Sequence, residues 1–174
     1  MAKVFLGLGS NVGDRLQHLQ SATDQLVKLR HTTIQNISSV YETEPVGKKD
    51  QSEFFNAAAE LETTLPVHEL LAELKGIEGK VGRKDSIRWG PREIDIDILY
   101  YDDLILNDDS VHVPHAEISN RRFVLIPLMQ IAEGFVDPVR KLDIASLLKF
   151  CSDTSTVRKT KFALSVVGKG PRSS

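Results

Sequence analysis

The stretch EIDIDILYY, residues 93–101, alternates charged and apolar side chains, and no other feature of the sequence constrains the fold as strongly. On a β-strand successive side chains point to opposite faces, so the isoleucines and Tyr100 are expected to share one face while Asp95 and Asp97 share the other. The isoleucine face would pack on a core. The chain therefore needs a sheet that buries one side of this strand and leaves two carboxylates on the other.

The rest of the first 101 residues has the periodicity of two helices and three further strands. In the helical segments apolar residues recur at three- and four-residue intervals; Pro66 lies at the start of the second helix, and Gly79 and Gly82 end it. The predicted helices cover residues 16–29 and 67–77, and the predicted strands cover residues 3–8, 32–43, 54–63 and 94–101. Their order, β-α-β-β-α-β, predicts a ferredoxin-like α+β fold, an antiparallel sheet with helices packed on it.

The C-terminal third adds elements to this core. The predicted additions are short strands at residues 104–106 and 111–113 and helices at residues 122–131 and 144–150. We expect residues 1–151 to form a single domain and residues 152–174 to form a polar tail. The end of that tail, GKGPRSS, is expected to be disordered.

The composition limits the classes of function. A chain of 174 residues with 41% hydrophobic residues can bury one core, and a formal net charge of -2 argues against a general nucleic-acid coat, which needs a basic excess. Cys151 is the single cysteine, which excludes an internal disulfide, and the N-terminal residues do not read as a signal peptide or membrane span. We therefore expect a cytoplasmic protein that binds neither nucleic acid nor membranes. Nothing in the sequence demands more than a monomer.

The two aspartates on one strand face have the spacing of a metal site. At ~3.3 Å per residue the Cα atoms of Asp95 and Asp97 lie roughly 6.6 Å apart, close enough for their carboxylates to converge on one ion or a pair of ions. Oxygen ligands of this kind suit Mg²⁺, which usually shares its coordination shell with substrate phosphates. The simpler interpretation is an amphipathic strand with one hydrated face.

Basic residues surround this strand, and each of them read alone would be a hydrated surface charge. They are Arg83, Lys84, Arg88 and Arg92 before the strand and Arg121 and Arg122 after it. Arginines together with Mg²⁺ are what a polyphosphate needs during phosphoryl transfer. The glycines of GLGSNVG match neither the dinucleotide fingerprint nor the P-loop, so we interpret that segment as a turn between strand and helix that could touch a ligand.

Several separate motifs together resemble one family, the 6-hydroxymethyl-7,8-dihydropterin pyrophosphokinases of folate biosynthesis. These motifs are RWGPREIDIDILYYDD, GLGSN, YETEPVG with DQSEFFNAA, and VPHAEISNRRFVLIPLMQIA, in order from about residue 4 to 132. The resemblance implies a ferredoxin-like fold. It also implies a reaction, the transfer of the β,γ-pyrophosphoryl group of ATP to the hydroxymethyl group of the pterin, which releases AMP.

The resemblance further implies roles for individual residues. Asp95 and Asp97 would bind two Mg²⁺ ions, and Arg83 and Arg92 would hold the transferring phosphates; these four residues form the expected catalytic set. The implied ATP-binding residues are Glu78, Arg83, Trp89, Arg92, Ile98, His115 and Arg121. The implied pterin-binding residues are Thr43, Val46, Phe54, Asn56 and Phe123, with the two phenylalanines stacking on the ring. Asp97 is the nearest candidate for a general base, although it could serve as a ligand only.

Two positions depart from the family pattern, and two other functions remain open. Asp85 stands where relatives commonly have a basic residue, and Ala116 stands where an aromatic residue can occur. Because the ferredoxin-like fold serves many functions, a nucleic-acid or protein binding module is one alternative. A metal-dependent phosphodiesterase or nucleotidyl transferase is another. Release of AMP that requires the pterin alcohol would separate both from a pyrophosphokinase.

Overall fold

One antiparallel sheet organises the computed structural model of the chain, in which residues 1–45, 50–82 and 93–166 are described. The main sheet has the strand order β5-β1-β4-β3-β8, with β2 also paired to β4. These strands are β1 (Ala2–Ser10), β2 (Thr32–Ile37), β3 (Ser39–Thr43), β4 (Phe54–Thr63), β5 (Asp95–Tyr101) and β8 (Val157–Ala163). A separate hairpin pairs β6 (Leu106–Asn107) with β7 (His112–Val113). The predicted ferredoxin-like α+β fold is confirmed.

Two helices cover one face of the sheet. They are α1 (Arg15–Val27) and α2 (Val67–Val81). The Asp14 carboxylate caps α1 by accepting a hydrogen bond from the backbone N–H of Gln17, and α2 ends at Gly82, whose φ of 110° is a left-handed conformation that glycine adopts without strain. Gly79, the other predicted end, lies inside the helix. Apolar side chains of these helices and of the facing strand residues form the larger core.

The C-terminal helices cover part of the opposite face. They are α3 (Arg122–Ala132) and α4 (Ile144–Phe150). A second, smaller core lies beneath them and includes Phe5, Ala58, Leu99 and Tyr100. We expected Tyr100 to share a face with the isoleucines, and this was wrong. The pairing of β1 with β5 shifts between Phe5 and Leu6, so Tyr100 lies opposite Phe5 in the second core.

The predicted strand over residues 32–43 is divided at Ser38. Its backbone N–H donates to the carbonyl of Ala58, while the backbone N–H of Ala58 donates to the Ser38 hydroxyl, both at 2.8 Å. The side chain thus takes over one backbone position in the ladder, and β2 and β3 both remain paired with β4.

The segment after residue 152 also differs from the expected polar tail. Residues 157–163 form β8, which pairs antiparallel with β3, so this part of the tail lies in the main sheet. The expected disorder of GKGPRSS lies outside the described residues, and the domain division at residue 151 stays a prediction. Within the described ranges no helix has the length and hydrophobicity to cross a membrane.

Candidate active site

A row of small and polar residues crosses the sheet at the end that α3 and α4 leave uncovered. Asp95 on β5 pairs with Gly9 on β1, which pairs with Asn56 on β4. Residues paired across antiparallel strands project to the same face, so these three share one surface, and Asp97 opposite Gly7 shares it too. The isoleucines that alternate with the aspartates, Ile94, Ile96 and Ile98, are buried on the face that α1 and α2 cover. The predicted alternation of faces is therefore present at residues 94–98.

The carboxylates on this surface repel one another. Burial, the neighbouring Asp95 and then Glu78 raise the pKa of Asp97 to about 7, and Lys75 and Arg121 offset only part of this effect. The Asp97 side chain is nevertheless 41% exposed, so a ligand can reach it from the open side of the sheet. A site that makes its own carboxylate harder to ionise is one that a cation would stabilise.

Glu78, a predicted ATP-site residue, lies behind the aspartates on α2. Its side chain is buried, one carboxylate oxygen accepts a hydrogen bond from the backbone N–H of Ile96 at 2.8 Å, and the other lies 3.5 Å from Nζ of Lys75. Because β5 is an edge strand, this carboxylate satisfies a backbone donor in the strand that carries both aspartates. Glu78 thereby fixes β5 from its open edge and adds negative charge to the site.

His115 and Arg121 lie beside the aspartates. The backbone N–H of His115 donates to the carbonyl of Leu99, which places the residue along β5. The imidazole Nδ1 accepts from the N–H of Glu117, so the neutral ring carries its proton on Nε2, which lies 4.0 Å from Oδ2 of Asp97. Burial and the charge of Arg121 lower the pKa of His115, which keeps the ring neutral at neutral pH.

The predicted pterin-binding residues occupy the same face further along the sheet. Thr43 pairs with Phe54, and the Asn56 amide Nδ2 donates to the hydroxyl of Thr43 at 2.6 Å. Asn56 and Thr43 are buried, whereas Phe54 is partly exposed. The amide is thus held in one orientation with Oδ1 directed toward Gly9. Together they offer a fixed amide next to an accessible aromatic ring.

Phe123, the second predicted stacking residue, lies in the first turn of α3. The helix packs on β4 and β3, and the guanidinium carbon of Arg121 lies 5.6 Å from the centroid of the Phe123 ring. The charge of Arg121 also lowers the pKa of Asp97 and of His115. Arg121 therefore lies between the aromatic residue and the acidic row, the part of the sheet face that carries Asp95 and Asp97. The start of α3 therefore borders both predicted substrate subsites.

Five of the predicted residues are not part of this described surface. Arg83, Trp89, Arg92 and Val46 lie outside the described residues. The side chain of Ile98 is buried in the helix-side core, so the structure does not bring it to the face of Asp95 and Asp97. The other predicted site residues lie on this face, border it or, in the case of Glu78, support it from behind.

Sequence reasoning missed the role of Gly9. A Cβ atom at this position would lie 2.7 Å from Oδ1 of Asn56 and 3.6 Å from Cδ2 of Phe54. Only a residue without a side chain leaves room for the Asn56 amide over β1, whose other neighbour at this level is Asp95. The signal was in GLGSN, where Gly7 and Gly9 are two residues apart and so share one strand face.

Asn11 and Arg15 were also missed, and both hold the segment that precedes β4. Asn11 Nδ2 donates to Oε1 of Gln51 and to the carbonyl of Ser52, and Arg15 donates to the carbonyl of Glu53 at 2.9 Å. Single polar residues after a strand are common, so no signal in the sequence distinguished these two.

The fold and this surface define a class, a ferredoxin-like α+β protein with a carboxylate pair and an aromatic, amide-bearing subsite on one sheet face. Comparison with known proteins identifies the family within that class. A sequence model described as 7,8-dihydro-6-hydroxymethylpterin-pyrophosphokinase (HPPK) matches residues 5–133, and the chain belongs to this family.

Individual relatives support the same family assignment. The 2-amino-4-hydroxy-6-hydroxymethyldihydropteridine pyrophosphokinase of Aquifex aeolicus is 42% identical over 80% of this chain and 86% of its own length. The protein of the same name from Haemophilus influenzae is 35% identical over 91% of this chain and 98% of its own length. A mitochondrial folate synthesis bifunctional protein from Pisum sativum is 44% identical over 78% of this chain, which corresponds to 26% of that protein.

Solved structures support the fold. The crystal structure of Plasmodium falciparum HPPK-DHPS, wild type with SDX-DHP, matches with a TM-score of 0.67 and 15% sequence identity. The match covers 85% of this chain and 44% of that chain. At this identity the likeness concerns the fold alone.

Proposed function

We propose that the chain transfers pyrophosphate from ATP to the hydroxymethyl group of 6-hydroxymethyl-7,8-dihydropterin, in a Mg²⁺-dependent reaction at the acidic row of the sheet. Family membership gives the reaction, which releases AMP and belongs to folate biosynthesis. The observation that supports the location is the shared face of Asp95, Gly9 and Asn56, which puts carboxylates beside a fixed amide.

Two Mg²⁺ ions are proposed to bind at the carboxylate pair of Asp95 and Asp97. In the described part of the chain no group of three or more His, Cys, Asp and Glu side chains forms a ready metal cage. Mg²⁺ commonly binds through one or two carboxylates plus waters and substrate phosphates, so Asp95 and Asp97 are sufficient protein ligands. The raised pKa of Asp97 also supports a cation site, because added positive charge would relieve the repulsion between Asp97 and the neighbouring carboxylates. Bound Mg²⁺ would neutralise phosphate charge and favour deprotonation of the attacking hydroxyl.

ATP would lie along β5 and the start of α3. We place its phosphates against Arg83 and Arg92 and near Arg121, with His115 as a neutral donor through Nε2–H. Trp89 remains a proposed contact of the nucleotide, and Glu78 supports the site by holding β5 in place. Arginine suits this role because its planar group can donate two parallel hydrogen bonds to a phosphate.

The pterin would lie over β4, between Phe54 and Phe123. Its flat ring suits stacking between aromatic side chains, and its polar edge suits Asn56, Thr43 and the backbone near Val46. The Asn56 amide already donates to Thr43 and keeps Oδ1 as an acceptor. An acceptor held in one orientation favours a ring that presents N–H donors.

The reaction needs no covalent intermediate. The pterin hydroxyl oxygen would attack the β-phosphorus of ATP in line, forming one P–O bond while the bond between the β-phosphorus and the bridging oxygen of AMP breaks. The hydroxyl proton leaves the oxygen, and Asp97 is the candidate acceptor among the described residues of the acidic row. The Asp97 carboxylate would then serve both as a metal ligand and as the acceptor of this proton.

The experiment is AMP formation from ATP and Mg²⁺, with and without 6-hydroxymethyl-7,8-dihydropterin. We expect pterin-dependent AMP from the native chain and a loss of at least about 100-fold in Asp97→Asn, because the substitution removes a charge on which the transition state depends. Asp103→Asn is the matched control, the same change at an exposed position just after β5, and should retain activity.

Two results would contradict the proposal. AMP formed without the pterin would indicate a phosphodiesterase or nucleotidyl transferase, and full activity of Asp97→Asn would contradict the proposed metal-binding role of Asp97. A titration of Mg²⁺ in the same assay tests the dependence on metal. The cytoplasmic location and the monomeric state expected from the sequence remain predictions.

A further inference from the structure

We propose that the C-terminal segment 153–158 is a positioning element for the pterin substrate, acting through Asp153 and Arg158. This segment lies beyond the residues that the family model matches, which end at 133. It contacts both sides of the proposed pterin subsite, the start of α3 and the base of the connection between β3 and β4. The inference rests on the proposed positions of Phe54 and Phe123 in that subsite.

Asp153 holds the start of α3. Its Oδ2 accepts a hydrogen bond from the backbone N–H of Arg122 at 2.9 Å, and Nε of Arg122 donates to the carbonyl of Ser155 at 3.1 Å. Oδ1 of Asp153 accepts from the backbone N–H and the hydroxyl of Ser155. Arg122 stands between Arg121 and Phe123 in the chain, so this clamp fixes the backbone that carries both.

The next residues of the segment hold the end of β3. Val157 pairs directly with Thr43, the residue whose hydroxyl orients the Asn56 amide. One residue earlier, the backbone of Thr156 exchanges hydrogen bonds with Glu44, through the Glu44 N–H and the Glu44 carboxylate. The strand end that orders the amide is therefore paired on its outer side by the C-terminal segment.

Arg158 connects the two sides of the β3–β4 connection. Its guanidinium donates to the carboxylate of Glu42 at 2.8 Å and to that of Glu53 at 3.0 Å. Glu42 precedes Thr43 in the chain, and Glu53 precedes Phe54. One side chain thus ties together the residues next to two proposed pterin contacts, with Arg15 sharing Glu42 from α1.

Because Arg158 is exposed, its effect on the position of the pterin contacts can be measured apart from its effect on the stability of the fold. Its side chain is 54% exposed, and ion pairs between exposed side chains contribute little to folding. Catalysis is more sensitive than folding to small movements of the substrate contacts, because a displacement of about 1 Å in a site can cost about 100-fold in rate. Loss of Arg158 should therefore affect the pterin much more than the folded state.

The test compares Arg158→Ala, Arg158→Lys and Asp153→Ala in the full chain. We expect KM for the pterin to rise at least about fivefold in both alanine variants. KM for ATP should change less than about twofold in Arg158→Ala, whose ion pairs lie only beside Thr43 and Phe54. Arg158→Lys, which keeps the charge, should recover part of the loss. Thr160→Val is the matched control on the same strand. It loses the hydrogen bond from its hydroxyl to the carbonyl of Val40 and the one that its hydroxyl accepts from the backbone N–H of Phe162, and neither partner is a proposed pterin contact.

The outcomes separate the inference from the function on which it rests. If the native chain shows pterin-dependent AMP formation but both alanine variants match Thr160→Val in KM for the pterin, the positioning role is wrong and the function stands. If KM for ATP rises in parallel in Arg158→Ala, or if KM for the pterin follows the melting temperature across all four variants, the segment acts on general stability. A native chain without pterin-dependent AMP formation would overturn the function itself.

Discussion

Gly9 sits where the acidic row meets the amide, and its missing side chain is a feature of the site. In Gly9→Ala the new methyl group would lie 2.7 Å from Oδ1 of Asn56, so the amide must move and its bond to Thr43 must weaken. We predict a rise of about tenfold in KM for the pterin, measured by steady-state kinetics, with a smaller change in KM for ATP.

Gly7→Ala is the control for this substitution. A methyl group there would meet Leu99 at 3.5 Å, an ordinary contact, on the same strand and the same face. It should therefore have the smaller effect on the pterin. Equal effects of the two substitutions would mean that any methyl group on this face of β1 disturbs the site, and that Asn56 has no special part in it.

At the residue scale the sequence predicted the charges well and their surroundings poorly. The positions of Asp95 and Asp97 on one face follow from alternation alone, which is local. The place of Ile98 in the helix-side core was equally readable from its spacing, yet the family resemblance assigned it to the nucleotide. The anchoring roles of Asn11 and Arg15 depend on contacts with residues about 40 positions away, which no local pattern contains.

At the element scale, one buried hydrogen bond joins β5 to the connection between α3 and α4. The Tyr100 hydroxyl donates to Oδ2 of Asp137 at 2.6 Å, and both side chains are fully buried. Burial alone would raise the pKa of Asp137, but hydrogen bonds from Tyr100, Arg140 and Val139 outweigh it and lower the pKa. The charged form of Asp137 therefore stabilises the attachment of the C-terminal helices.

Removal of that hydroxyl should cost stability in a pH-dependent way. We predict that Tyr100→Phe lowers the free energy of unfolding by about 2 kcal/mol at pH 7, as expected for a buried bond to a charged group. Since the folded pKa of Asp137 is lowered, the stabilisation is present above the unfolded pKa of about 4 and lost as the pH falls through the folded value. The difference between variant and native chain should shrink below about pH 4, measured by urea unfolding.

Tyr101→Phe provides the comparison. The Tyr101 hydroxyl donates at 2.6 Å to the carbonyl of Leu65, an uncharged acceptor. Its loss should cost about 1 kcal/mol without a pH dependence in the acid range. If both tyrosine variants lose stability equally at pH 7 and pH 3.5, the charge of Asp137 has no part in holding the helices.

The elements themselves were largely readable from the sequence, and the exceptions share a cause. Both ferredoxin-like helices, α3 and α4 were predicted from periodicity and lie within a few residues of the predicted bounds. The division at Ser38 and the shift that turns Tyr100 over depend on register between strands, which periodicity within one strand does not encode. β8 was missed because its lysines and arginine suggest a hydrated tail, although such charges are normal on an edge strand.

At the scale of the whole molecule, β8 makes the C-terminal segment part of the fold. We predict that deletion of residues 152–174 lowers the melting temperature by about 5 °C or more, because it removes a paired strand and the buried side chain of Leu164. Deletion of residues 168–174 alone, which the sequence predicts to be disordered, should change it by less than about 1 °C. Thermal unfolding followed by circular dichroism measures both. Equal melting temperatures for the two deletions would mean that residues 157–163 contribute nothing to the stability of the fold.

The directions of the first and last strands have a consequence for how such a chain can be joined to others. β1 starts at Ala2, opposite Thr63, and reaches the acidic row at Gly9, while β8 leaves Thr43 and runs toward Ser39. The start of β1 and the end of β8 thus both lie away from the proposed substrate site, toward the other end of the sheet. A second protein joined before β1 or after β8 would therefore be attached at the start of β1 or beyond the end of β8, away from the proposed site, which suits linkage with further enzymes in one polypeptide.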